Sequence, residues 1–314
     1  MSLGLILRRL VPQSAKNFLR QRSLPWRVSK LLSPFLPSAL CVDVGASYYP
    51  HSKWLIFLNA PATQWVAVEP NEANIGYVKS WIWPCKVSAC TTGLSREGGV
   101  QTLFVTNIDS GSSLLPPEIP ASMKHRVRNL NYFFPVTPRD INTLTLVQAI
   151  AGFSGGTAPI FVKLDTQGTE LSILKGAQTL FNAHRIVGIE MESTLLAQPV
   201  MKGSGKFWQA CEYLEAEGFE LLHIKPIPAV GQSGRLRAGR NTYLNECDAV
   251  FALRQDIAAQ LSVECRIGLL AFYLTNLFYE ESLAVLDRDT EVADFLRHQG
   301  CQLDVLVSLI KASI

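Results

Sequence analysis

No C-x-x-C pair, no histidine at metal-ligand spacing and no apolar run of membrane-spanning length occurs in this 314-residue chain. The first two absences leave no zinc or redox motif, and no metal is expected. The third excludes a transmembrane helix, and Leu3 to Leu7 is too short for a secretory core, so the sequence reads as cytoplasmic. Cys41, Cys85, Cys90, Cys211, Cys247, Cys265 and Cys301 are scattered through apolar or helical surroundings. They read as reduced core residues. Acidic residues are nearly missing from the start of the chain: Arg8, Arg9, Lys16, Arg20, Arg22, Arg27 and Lys30 all precede the first carboxylate, Asp43. The net charge is nevertheless only +3, so the remainder is mildly acidic. That balance argues against a nucleic-acid-binding body, which would spread basic residues over a folded face. No internal repeat is visible.

What the chain does contain is ordinary globular composition, 48% apolar and 18% charged, in three stretches. Residues 1–38 are basic and rich in Leu, Phe and Trp, and are broken by prolines. They suit either a cap packed on the core or a peripheral membrane contact. Residues 39–254 alternate short apolar runs with helix-like segments, the pattern of βαβ units. Strands are expected at residues 39–44, 64–68, 85–89, 159–164 and 186–191, with helices at 172–181 and 206–217. Their near-continuous apolar character suits a parallel sheet buried on both faces. Two more strands, 219–224 and 249–253, have no crossover helix between them and can pair only antiparallel. The expectation is an α/β doubly wound, mostly parallel seven-stranded sheet ending in an antiparallel hairpin. Residues 255–314 read as a helical appendage that covers the sheet edge or makes a homo-oligomer contact.

Three strand ends carry chemistry. In Cys41-Val42-Asp43-Val44-Gly45-Ala46-Ser47, Gly45 lets the backbone approach a ligand, and Asp43 can hold the turn or a cationic cofactor end. In Val66-Ala67-Val68-Glu69-Pro70-Asn71, Glu69 is placed to accept both ribose hydroxyls of an adenosine-bearing ligand. A dinucleotide fold would share that acid but needs G-x-G-x-x-G where this chain reads Gly45-Ala-Ser-Tyr-Tyr-Pro. An adenosine ligand without a pyrophosphate is therefore favoured. The third end is Phe161-Val162-Lys163-Leu164-Asp165-Thr166-Gln167-Gly168-Thr169-Glu170, followed by Leu174, Gly176 and Ala177. Strand alternation puts Lys163 and Asp165 on one side, with Asp165 at the tip.

This third motif resembles the signature of the FkbM-type methyltransferases, K-x-D-x-x-G-x-E-x-x-V-L-x-G-A, and matches it at Lys163, Asp165, Gly168, Glu170, Leu174, Gly176 and Ala177. The resemblance extends over roughly residues 41–254, through Gly93-Leu94-Ser95, Ser112-Ser113-Leu114 and Ile189-Glu190-Met191-Glu192. It implies a class I Rossmann-like fold, S-adenosylmethionine as methyl donor, and a hydroxyl acceptor on a sugar, glycan, polyketide or lipid-linked molecule. Carried over by motif, Asp43, Gly45, Ala46, Ser47, Glu69, Pro70 and Asn71 would hold the cofactor, with Gly93 and Leu94 near the adenine. The chain departs from the family at Ser47 and Tyr49, where an Asn and a second Gly are common, and at Gln167, where an acid is frequent.

Methyl transfer from a sulfonium is an in-line displacement, so the protein's work is positioning and exclusion of water, with a base for the acceptor's proton. Asp165 is the first candidate base, against a plain role as helix cap. Glu190 and Glu192 on the neighbouring strand are the second, and either could instead pair with Lys163. His125 and Arg126, in the loop 109–135, together with Lys163 and Gln167, are candidates for touching the acceptor. Two other readings stay open at this point: a nicotinamide-dependent oxidoreductase, and a catalytically silent scaffold on the same fold.

Overall fold

The computed structural model describes residues 23–48, 50–118, 130–153, 156–228 and 244–314. His125, Arg126, Tyr49, the first 22 residues and the arginine-bearing segment before Leu244 lie outside them. The apolar runs that end in polar residues form strands. They are β1 (Ala39–Val44), β2 (Thr63–Val68), β3 (Lys86–Cys90), β4 (Gly93–Leu94), β5 (Gly99–Val105), β6 (Thr137–Leu144), β7 (Ile160–Leu164), β8 (Ile186–Thr194), β9 (Phe219–Pro228) and β10 (Leu244–Leu253). Seven of these make one sheet in the order β3-β2-β1-β7-β8-β10-β9. β10 runs antiparallel to both its neighbours, and the other pairings are parallel. This is the doubly wound sheet with an antiparallel finish expected from the sequence. Every residue of β1 is buried, as a central strand covered on both faces requires.

Helices flank the sheet. Before the midpoint stand α1 (Leu24–Leu32), α2 (Leu55–Leu58), α3 (Glu72–Lys79), α4 (Leu130–Phe133) and α5 (Leu146–Ile150). After it come α6 (Glu170–Lys175), α7 (Gln178–Asn182) and α8 (Phe207–Ala216). The single helix expected over 172–181 is thus divided in two. The break falls at Gly176, where a Cβ would collide with the backbone of Arg96. The chain ends in α9 (Gln255–Ala258), α10 (Val263–Thr275), α11 (Tyr279–Arg288), α12 (Thr290–His298) and α13 (Leu303–Lys311).

α10 lies over the face of the sheet, not along its edge. Phe272 stacks on Phe161 of β7 with centroids 5.4 Å apart and meets Trp54 at 5.9 Å. Gly188 of β8 makes the room, because a Cβ there would approach both phenylalanine rings to 2.9 Å. One apolar core runs from Val28 and Leu32 of α1 to Leu306 and Ile310 of α13.

A second, three-stranded sheet in the order β4-β6-β5 was not foreseen. β5 reads Gly-Val-Gln-Thr-Leu-Phe-Val and β6 Thr-Pro-Arg-Asp-Ile-Asn-Thr-Leu, both largely outside the core. Neither carries the continuous apolar signal of a buried strand. The small sheet leans over the carboxyl ends of β1 and β2 and forms one wall of the site.

Candidate cofactor and methyl-transfer site

The carboxyl ends of β1, β2 and β7 open into a cleft of about 760 Å³, counted with the solvent at its mouth. Its floor is the turn after β1. Gly45 takes a left-handed conformation, φ +77°, and a Cβ there would strike the carbonyl oxygen of Asp165. Only glycine satisfies both conditions. The amides of Gly45 and Ala46 donate to the carbonyl of Val68 at 3.0 and 3.2 Å, and that of Asp165 donates to Val44 at 3.0 Å, so three strand ends are tied together. Ser47 lines the cleft, and its buried Oγ has no hydrogen-bond partner among the described residues.

Glu69 stands at the tip of β2. One of its oxygens accepts from the amide of Asn71 at 2.8 Å. Burial pushes its carboxyl up to about 7, against that hydrogen bond and reinforced by the charge of Asp109. Asp109 closes the opposite lip. Asn71, the N-cap of α3, and Asn74, in its first turn, donate to its two carboxylate oxygens at 2.8 and 2.7 Å. Beyond them, Gly93 and Leu94 of β4, Leu103 of β5 and Ile141 of β6 form an apolar wall.

At the other end of the cleft Asp165 is exposed at the tip of β7. Behind it charges alternate across adjacent strands. The ammonium of Lys163 lies 3.1 Å from Asp43 and 3.7 Å from Asp165. Burial opposes that positive charge, but the two carboxylates outweigh it and hold the group well above the usual lysine range. In register with Lys163 on β8 is Glu190, which pairs with Lys53 at 2.5 Å. Asp43 and Glu190 are both buried, and neither lines the cleft.

The turn that follows Asp165 is clamped from two sides. The buried carboxylate of Glu170 accepts from the amide of Thr166 at 2.7 Å and from that of Gly168 at 2.9 Å. From across the cleft, Ser113 Oγ donates to the carbonyl of Gln167 at 2.9 Å. Gln167 is left in a left-handed conformation, φ 58°, with its side-chain amide donating to Asp165 at 3.2 Å and to Glu192 at 2.7 Å. Glu192, together with Phe133, Met201, Ser204 and Glu246, lines a smaller pocket of about 360 Å³ on the far side of Gln167. Burial first, then the charges of Asp165 and Glu246, pushes the Glu192 carboxyl up to about 10.

Of the residues singled out from sequence, Gly45, Ser47, Glu69, Pro70, Asn71, Gly93, Leu94 and Asp165 come together around the cleft, while Gln167 and Glu192 border the adjoining pocket. Asp43 and Lys163 form the buried pair beneath it, and Ala46 is buried in the floor. The candidates Asp109, Asn74, Leu103, Ile141 and Ser113 were missed as cleft residues. Their only sequence signal was the Ser112-Ser113-Leu114 string.

The cleft fits an adenosine-bearing ligand with an amino-acid end. It offers a carboxyl in Glu69, an apolar wall, and a buried hydroxyl in Ser47 without a partner among the described residues, the groups that could hold such a ligand. Among the described residues no group of histidines, cysteines or carboxylates is arranged to hold a metal ion.

The family model described as the methyltransferase FkbM domain matches residues 43–221. No curated protein matches the chain. Among solved structures, a precorrin-6y C5,15-methyltransferase from Geobacter metallireducens GS-15 is similar at 10% identity, covering 73% of this chain and 86% of its own, with a TM-score of 0.34. The magnesium protoporphyrin IX methyltransferase from Synechocystis PCC 6803 is similar at 11% identity over 81% and 92%, with a TM-score of 0.32. The 1,6-didemethyltoxoflavin-N1-methyltransferase of Burkholderia thailandensis is similar at 11% identity over 77% and 83%, also at 0.32. With the matched region covering more than half its length, the chain belongs to the FkbM family of S-adenosylmethionine-dependent methyltransferases.

Proposed function

We propose that the chain O-methylates a hydroxyl of a sugar, glycan, lipid-linked or polyketide-like acceptor, with Asp165 as the base that takes the acceptor's proton. One observation carries this reading. Asp165 is the exposed carboxylate at the inner end of the cofactor cleft, and Lys163 and Gln167 fix its two oxygens from below and from the side. When bound, S-adenosylmethionine supplies an electrophilic methyl on a sulfonium. Glu69 would accept the ribose hydroxyls, Gly93 and Leu94 would lie against the adenine, and Ser47 would donate to the amino-acid end. The pocket beyond Gln167 would receive the acceptor. Its carboxyls, Glu192 and Glu246, suit a hydroxyl-rich molecule, and Phe133 offers an apolar face to a ring. The hydroxyl would then stand between Asp165 and the methyl, where loss of its proton to the carboxylate accompanies transfer.

The test is Asp165→Asn. The helix-cap role considered for Asp165 does not hold, since Thr169 is the N-cap of α6 and Glu170 takes the amides of Thr166 and Gly168. Asn keeps the shape and can still accept from Gln167, but it cannot take a proton. Turnover should fall about a hundredfold or more while cofactor affinity stays nearly constant. Release of S-adenosylhomocysteine from a panel of hydroxylated acceptors measures the first, and calorimetry the second. Near-normal turnover in Asp165→Asn would remove Asp165 as the base.

A further inference from the structure

Charge is spread unevenly over the fold. Between residues 1 and 96 the only carboxylates are Asp43, Glu69 and Glu72. Asp43 is buried against Lys163, and Glu69 faces the cleft. The outer surface of this part therefore carries exposed Arg27, Lys30, Lys79 and Lys86 against the single exposed carboxylate of Glu72.

Between two of these cations, Lys79 and Lys86, runs the loop Ser80–Cys85, which joins α3 to β3 with the sequence Ser-Trp-Ile-Trp-Pro-Cys. Ile82 is 96% exposed, more than any other large apolar residue described. The exposure does not come from a loose loop. The Trp81 indole is buried and donates to the carbonyl of Tyr48 at 2.5 Å. The Cys85 amide donates to Leu58 at 3.1 Å. Both ends are fixed, and Ile82 is held outward between Trp81 and half-buried Trp83. Beside it the rings of Tyr48 and Tyr77, each about half exposed, meet at 5.4 Å. α1 packs next to this loop through the end of α2, where Leu58 accepts from Cys85 and Asn59, one residue on, donates to Ser29 of α1 at 2.8 Å. On α1, Lys30 lies over the ring of Trp26. The acid-free first 22 residues lead directly into that helix.

We propose that the Ile82-Trp83 tip, flanked by Lys79, Lys86 and the basic face of α1, docks on an anionic phospholipid surface. Each part answers to one layer of such a surface. Lysines and arginines are attracted to the lipid phosphates, indoles and phenols favour the headgroup level, and a projecting aliphatic side chain gains by entering the acyl boundary. A nucleic acid would use the same cations but would have no use for Ile82. The reading is independent of the methyl acceptor, because none of these residues lies in the pocket beyond Gln167.

The experiment is flotation of the full-length protein with vesicles of phosphatidylcholine alone and of phosphatidylcholine with about one third phosphatidylglycerol. The protein should float with the second and not the first. Ile82→Asp should lower the bound fraction about tenfold or more, and Lys79→Glu with Lys86→Glu should lower it comparably. Both variants should keep the wild-type melting temperature and affinity for S-adenosylmethionine. A folded Ile82→Asp protein that floats like wild type would overturn the proposal, as would equal flotation with neutral vesicles or none with anionic ones. If charge reversal weakens binding to vesicles and to duplex DNA alike while Ile82→Asp changes neither, the edge is a general polyanion surface and the membrane assignment fails.

Discussion

Glu69 gives the sharpest link between the structure and cofactor binding, because its carboxyl is pushed up to about 7 from the ordinary 4.5. Ionising it in the ligand-free fold costs about 3 kcal/mol, at about 1.4 kcal/mol per pH unit. The sign follows from the direction of the shift. A carboxyl raised in the fold weakens the ligand-free protein as pH climbs from its unfolded value through about 7. A ligand whose ribose hydroxyls need the ionised form then binds better over the same interval. At pH 6 roughly a tenth of the protein has Glu69 ionised, and at pH 8 roughly nine tenths, so affinity should rise about tenfold between them. Adenosine is the probe of choice, since it keeps the base and both hydroxyls and carries no group that titrates in this range. Calorimetry across pH 6 to 8 should give the tenfold rise for the wild type and a flat, weaker profile for Glu69→Gln. A wild-type profile as flat as that of the variant, with both proteins folded, would refute the ribose contact.

Gly45→Ala should lower the melting temperature and abolish cofactor binding, since the added Cβ meets both a left-handed backbone and the Asp165 carbonyl; thermal scans with and without cofactor decide it. Glu192→Gln should stabilise the protein increasingly as pH rises above about 5. The wild-type carboxyl, held up to about 10, loses stability through that window and the amide does not. Chemical denaturation at pH 5 and pH 8 measures the difference, and equal effects at both values would contradict it.

The main sheet was legible because its central strands are buried on both faces and so consist of almost nothing but apolar residues. The antiparallel finish followed from a missing crossover between β9 and β10. Gly45, Glu69 and Asp165 were legible for a related reason, since each ends an apolar run where a doubly wound sheet opens. The second sheet was not, because β5 and β6 are only partly covered and their polar positions resemble loop sequence. Asp109 was hidden with it: its partners Asn71 and Asn74 lie far back in sequence, and nothing local announces the pairing. Lys53 and Glu190 could not be matched from sequence either. Strand register placed Glu190 beside Lys163, but its actual partner arrives from a short turn after β1. The tail was legible as helical yet not as part of the core, because the partners of α10, Phe161 of β7 and the small Gly188 of β8, lie far back in the sequence.

The place of β10 in the sheet has a consequence for how the chain is made. β10 sits between β8 and β9, so the last strand to emerge from the ribosome must slot into the interior of the sheet. Until it does, β9 has no partner and β8 presents one open edge, a hazard for pairing with other chains. The face of β7 and β8 stays uncovered longer still, until α10 delivers Phe272. Completion of the fold therefore waits on synthesis beyond residue 275, more than fifty residues after the family match ends at 221. A nascent chain halted at that point would hold nearly all the cleft residues but not a closed sheet, and its lifetime in the cell would depend on chaperones that shield strand edges.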